Sequence, residues 1–168
     1  KISPIILGGG QQRGMRSGTE NVPAIAGMGE AIRIIYQDHA QKVEQLYALK
    51  KRLIDGLLAM EGVTVNGINE IALEETAPHI VSASFAGIKS EVMLHALAQE
   101  GVYVSSGSAC SSNHPELSGT LRAIGVDERL LDSTLRFSFS VLSTPEEVDY
   151  ALTAVDKVLP MLRRFIKK

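Results

Sequence analysis

An α/β or α+β domain is the fold class that this chain predicts, and three observations carry it. Short apolar runs with period-two alternation are interleaved with longer stretches of helical periodicity. The helical stretches open on capping signals and close on glycines. Hydrophobic residues make up 45% of the 168 residues and charged residues 21%, a balance that suits an ordinary globular core.

The elements follow in order. Pro4 to Leu7 reads as a short apolar strand that runs into a glycine-rich loop over residues 8–20. Asn21 is placed to cap, and Pro23 to occupy the first turn of, a helix with apolar positions Ile25, Met28, Ile32 and Ile35. The periodicity resumes at Val43, Leu46, Leu49, Leu53 and Leu57. One helix from 22 to 60 would exceed globular lengths, so a break is expected near Asp38 and His39. Val63 to Val65 reads as a strand, Asn66-Gly67 as a turn and residues 68–78 as a loop. His79 to Phe85 reads as a strand with Val81, Ala83 and Phe85 on one face and Ser82 and Ser84 on the other. Ser90 is placed to cap a helix through Gln99 that Gly101 ends, and Val102 to Val104 reads as a further strand.

Leu117 to Ile124 reads as a short helix closed by Gly125. In Thr134 to Ser140, Leu135, Phe137 and Phe139 alternate with Arg136, Ser138 and Ser140, the pattern of a half-buried strand. Thr144-Pro145-Glu146-Glu147 is a capping box with proline at the first helical position. It opens a helix with the stripe Val148, Leu152, Val155, Leu159 and Leu162. Pro160 predicts a kink or interruption, and the basic end Arg163, Arg164, Lys167 and Lys168 suits a helix C-terminus. The domain boundary is expected near residues 30–40. Residues 1–35 lack strands enough for their own core, and 36–168 carry most of the elements. The first residues read like the middle of a longer protein.

Composition excludes several classes. The net charge of −2 gives no reason to expect direct nucleic-acid binding or a membrane surface. No apolar run approaches the roughly 20 residues that span a bilayer, and no secretory signal pattern opens the chain. Cys110 is the only cysteine, so an internal disulfide is impossible and a reducing, cytoplasmic setting is expected. His39, His79, His95 and His114 are scattered, with no spacing that would build a metal site.

Three features could carry chemistry. Cys110 lies in Ser105-Ser106-Gly107-Ser108-Ala109-Cys110-Ser111-Ser112. A free cysteine is most often a buried small hydrophobe, but these neighbours offer almost no apolar surface for burial. An exposed thiol there could serve as a nucleophile or a redox sensor. Arg136 stands opposite three apolar residues, either as a solvated arginine on an edge strand or as a fork for a carboxylate. The loop from Gly8 to Thr19 joins glycines to Arg13, Arg16, Ser17 and Thr19 and precedes a helix start. It reads either as a flexible linker or as an anion site, for which phosphate is the natural ligand.

Together the segments GGGQQRGMRSGTENVPAIAGMGEA (8–31), SSGSACSS (105–112), LRFSFS (135–140) and TPEEVD (144–149) resemble the cysteine desulfurases of iron–sulfur cluster assembly. These are the NifS/IscS-like pyridoxal-phosphate enzymes of the class V aminotransferase family. The resemblance covers essentially the whole chain. It implies the C-terminal part of a fold-type I pyridoxal-phosphate transferase: the end of the large cofactor-binding domain with a linking helix over 1–35, and the small α+β domain over 36–168.

It further implies that Cys110 takes sulfur from L-cysteine as a persulfide, with L-alanine released, and that Arg136 binds the substrate carboxylate. Thr19 would reach the pyridoxal 5'-phosphate of the neighbouring subunit in a homodimer. The sulfur acceptor would be a protein such as an iron–sulfur scaffold or a tRNA-thiolation enzyme. Gln12 stands where the family usually has Glu, Leu7 where a His is frequent, and residues 113–120 depart from the usual proline-serine helix start. The family's cofactor-bearing lysine sits in a Ser-x-His-Lys segment, and this chain contains no His-Lys pair. The residues given are therefore expected to be inactive alone. A stand-alone persulfide carrier and a selenocysteine lyase-like relative are the alternatives.

Overall fold

A computed structural model describes residues 2–68, 71–107 and 118–165. The chain divides into two compact units, Lys1–His39 and Ala40–Lys168.

The first unit holds the glycine-rich loop and helix α1, Val22–Tyr36. Asn21 caps it by accepting from the Ala24 N–H at 3.2 Å, with Pro23 in the first turn. At Gln37 the backbone turns extended and Asp38 takes a left-handed φ of 53°, which ends the helix at the expected break. No hydrophobic residue of this unit is buried among those described.

In the second unit helix α2, His39–Leu58, buries Leu46, Leu49, Leu53, Ile54 and Leu57 on one stripe. Strands β1 (Val63–Val65), β2 (Ile80–Phe85), β3 (Ser105–Ser106) and β4 (Thr134–Ser138) form one antiparallel sheet in the order β1-β2-β4-β3. Helices α3 (Ser90–Gln99) and α5 (Pro145–Arg163) pack on each other, and α4 spans Gly119–Ala123. One face of the sheet supplies Val63, Val65, Val81, Ala83, Phe85, Leu135 and Phe137 to a core completed by α2, α3 and α5. Helices α2 and α5 approach closely at Gly56, where an added Cβ would lie 2.5 Å from the Leu152 side chain. Arg52 and Asp149 pair across them through two N–H···O bonds of 2.5 and 2.8 Å. The capping box of α5 is complete: Thr144 Oγ1 accepts from Glu147 N, and Glu147 Oε2 accepts from Thr144 N.

Several local expectations are corrected. Lys89, not Ser90, is the cap of α3. Ile88 before the cap and Met93 inside the helix are both buried, and this staple-like pair sets the start one residue early. Residues 102–104 do not join the sheet; β3 is Ser105–Ser106 instead. A groove of ≈ 500 Å³ opens between 102–104, the end of β4 and the start of α5, lined by Val102, Tyr103, Val104, Phe139 and Tyr150 among others. Only beyond it does the chain come into register with β4. Helix α5 is not interrupted by Pro160 but runs on to Arg163, because the lost hydrogen bond falls in its last turn while Val158 and Leu159 are buried beside it.

Candidate functional site

The polar face of the sheet carries the candidate site of the second unit. Register places Ser82 of β2 opposite Arg136 of β4, and Ser105 of β3 opposite Arg136 from the other side. Asn66, just past β1, extends the ladder by donating its backbone N–H to Ser82 O at 2.8 Å. Asn66, Ser82, Arg136 and Ser105 thus form one row across all four strands, because residues directly opposite share a face with Cβ atoms about 5 Å apart. Arg136 sits on an interior strand, flanked on both sides. The expected edge position is corrected, because non-local strand order puts β3 outside β4. Its side chain is exposed and makes no hydrogen bond or ion pair with any described residue.

A hydrogen-bonded chain runs beside it. Thr134 Oγ1 donates to Leu130 O at 2.7 Å and meets Ser84 Oγ at 2.7 Å. Asn66 Nδ2 donates to Ser84 Oγ at 2.9 Å and to Ser82 Oγ at 3.2 Å. Ser84, on the face opposite Val81, Ala83 and Phe85 as expected, is fully buried, because the helical turn Glu128–Ser133 covers this end of the sheet. The sequence reading missed Asn66 and Ser82 as members of a site. The one available signal was Ser82 facing the same way as Arg136, and that becomes useful only once strand pairing is known.

In the first unit the glycine-rich loop is held by its own polar groups. Ser17 Oγ donates to Gly9 O at 2.7 Å, and Arg16 Nη1 donates to Gly18 O and Thr19 O, both at 2.9 Å. Ser17, offered above as an anion ligand, is thus spent on the loop itself, whereas Arg16 commits only Nη1 to it. The Thr19 side chain is exposed, and its hydroxyl bonds to no described residue. Gln12 Nε2 donates to Glu20 Oε1 at 3.2 Å, and this bond is the chief cause that holds the Glu20 carboxyl below its usual range. A Glu at position 12 would set two carboxylates against each other, which gives Gln12 a local role.

Thr19 lies in the first unit and Arg136 in the second, and Cys110 lies outside the described residues. Among the described residues no group of His, Cys, Asp and Glu could hold a metal ion, and no helix is long and apolar enough to cross a membrane. Lys50 is the one buried lysine among them, and its amine is engaged by Thr76 and Ala77.

Comparison with known proteins adds the following. The family model described as aminotransferase class-V matches residues 8–151. The cysteine desulfurase IscS of Photobacterium profundum is 46% identical over 156 residues, covering 93% of this chain and 37% of the relative. The cysteine desulfurase IscS of Edwardsiella ictaluri is 46% identical over 163 residues, covering 97% of this chain and 39% of the relative. The chain therefore spans less than two fifths of the length of these relatives. A solved NifS-like protein superimposes with a TM-score of 0.78 at 34% identity, covering 96% of this chain and 40% of that one. A NifS-like protein from Rickettsia africae does so with a TM-score of 0.79 at 27% identity, covering 95% and 41%.

Proposed function

Because the chain belongs to the aminotransferase class-V family, we propose that it is the C-terminal portion of a cysteine desulfurase, a pyridoxal-phosphate enzyme that moves sulfur from L-cysteine to Cys110. The observation that carries this is Arg136, a guanidinium that no described residue pairs, in register between two serines on the polar face of a sheet whose edge strand ends four residues before Cys110 in the sequence. An arginine fork binds a carboxylate through two parallel N–H···O bonds. Cys110 is five residues along the chain from Ser105, a separation of at most about 18 Å even if fully extended. A substrate gripped by its carboxylate at Arg136 is thus within chain reach of the thiol.

In the proposed reaction the Cys110 thiolate attacks the sulfur of the bound cysteine. An S–S bond forms and the substrate's C–S bond breaks. The electron pair of that bond stays with the amino acid carbon, which takes up a proton and leaves as L-alanine, while Cys110 keeps the persulfide. The cofactor supplies the electron sink for carbon chemistry of this kind. The residues present fit one contact with it. Thr19 offers a hydroxyl that no described residue engages, on a loop of backbone N–H groups, suited to the cofactor phosphate, in a homodimer to that of the neighbouring subunit. The lysine that holds the cofactor belongs to the remainder of the relatives' length, as does most of the large domain, whose end is residues 1–35; residues 36–168 are the small domain. The setting is the cytoplasm, and a persulfide on a loop of small residues is delivered to a protein acceptor such as an iron–sulfur scaffold or a tRNA-thiolation enzyme.

Cys110→Ser tests the reading in the intact enzyme. With sulfur-labelled cysteine the variant retains cofactor absorbance and carries no labelled persulfide. Label on the serine variant would mean that the sulfur is accepted elsewhere.

A further inference from the structure

Proton accounting along the hydrogen-bonded chain singles out Ser82. Thr134 spends its one hydroxyl proton on Leu130 O, so at the 2.7 Å contact Ser84 must donate to Thr134. Ser84 then has no proton for Asn66 Oδ1, which stands 3.4 Å away, and instead accepts from Asn66 Nδ2 at the shorter 2.9 Å. That fixes the amide so that its nitrogen faces the serines, and Ser82 Oγ accepts from the same group at 3.2 Å. Ser82 is left with a hydroxyl proton that no described residue accepts. It is half-buried on β2, and its partner in register is Arg136. With one of its two lone pairs taken by Asn66 and its proton unclaimed among the described residues, Ser82 can donate to an anion, and its register partner Arg136, which no described residue pairs, supplies the matching charge. Ser105 flanks Arg136 from β3 but has no such polarising neighbour among the described residues.

We propose that Ser82 is a second donor to the substrate carboxylate, working beside Arg136 and oriented by Asn66. The proposal rests on the reading of Arg136 as the carboxylate site. Arg136 supplies the charge and the fork, and Ser82 supplies one directed O–H to the carboxylate oxygen on the β2 side. Asn66 is a positioning residue that acts through Ser82.

The test compares Ser82→Ala, Asn66→Ala and Arg136→Ala in the full-length enzyme. It measures KM and kcat for L-cysteine, with inhibition constants for L-alanine and for ethylamine, which lacks the carboxylate. Ser82→Ala is expected to raise KM about tenfold, the size of a lost hydrogen bond to a charged group, with kcat little changed. The L-alanine constant should rise in parallel, and that for ethylamine should not move. Asn66→Ala should give a smaller rise that vanishes in the Ser82→Ala background. If Arg136→Ala raises KM but Ser82→Ala does not, the Ser82 proposal falls and the Arg136 reading stands. If Ser82→Ala weakens ethylamine as much as L-alanine, its role is structural and the proposal also falls. If Arg136→Ala leaves KM unchanged, the carboxylate binds elsewhere and both fall.

Discussion

Lys50 shows how a single residue can work against its own fold. It is 4% exposed in the middle of α2, and no carboxylate answers it among the described residues. Its ammonium donates to Thr76 Oγ1 at 2.6 Å and Ala77 O at 2.9 Å, and with Tyr47 it ties the turn at Leu73–Glu75 onto the helix. Loss of water lowers its pKa below the ordinary 10.5. The sign follows. Between the folded pKa and 10.5 the unfolded chain binds more protons than the folded one, so stability from this residue rises with pH across that window. Urea unfolding of the wild type and Lys50→Met, followed from neutral pH upward, should show the difference moving in favour of the wild type as pH climbs to 10.5 and then levelling. A difference that is flat with pH would mean that the buried amine carries no desolvation cost. Nothing in the sequence marks Lys50, because a lysine one position after Leu49 in a helical stripe reads as a flanking surface residue.

At the scale of elements, signals confined to a few neighbouring residues were legible. The Thr144 capping box, the Asn21 cap and the break at Asp38 each depend on residues close in sequence, and each stands as expected. The alternation in β2 and β4 likewise identified Val81, Ala83, Phe85, Leu135 and Phe137 as core. What depended on pairing between distant segments was not legible. Apolar content favoured Val102 to Val104 as a strand, yet the ladder falls on two serines, because register with β4 selects backbone position and not hydrophobicity. The same non-local order moved Arg136 from an edge to the interior and brought Asn66 beside Ser82. The α5 cap permits a direct test. Thr144→Ala removes the acceptor for the Glu147 N–H and should cost about 1 kcal/mol, whereas Thr144→Ser should retain most of it. Chemical denaturation gives the cost, and amide exchange at Glu147 should quicken in the alanine variant alone. Equal stability of Thr144→Ala and wild type would show that the cap contributes nothing.

At the scale of the whole chain the two units are unequal in what they bury. Every buried hydrophobic residue described lies at Leu46 or beyond, so the core belongs to the second unit. The first unit exposes Ile5, Leu7, Val22, Ile25, Met28 and Ile35, and Ser17 alone among its described residues is buried. A helix with apolar residues that find no core in their own unit needs cover from elsewhere, and an exposed apolar patch without it drives association. The chain spans 37–39% of the length of its relatives, which leaves the remainder of that length to supply such cover in the proposed enzyme. Residues 40–168 made alone should therefore unfold in one cooperative transition and remain monomeric, whereas the 168-residue chain should self-associate as its concentration rises. Sedimentation velocity over a dilution series, with thermal unfolding of both chains, decides this. A 40–168 chain that lacks a cooperative transition would show that residues 1–39 complete its core. A 168-residue chain that stays monomeric at every concentration would show that its exposed apolar residues are already covered.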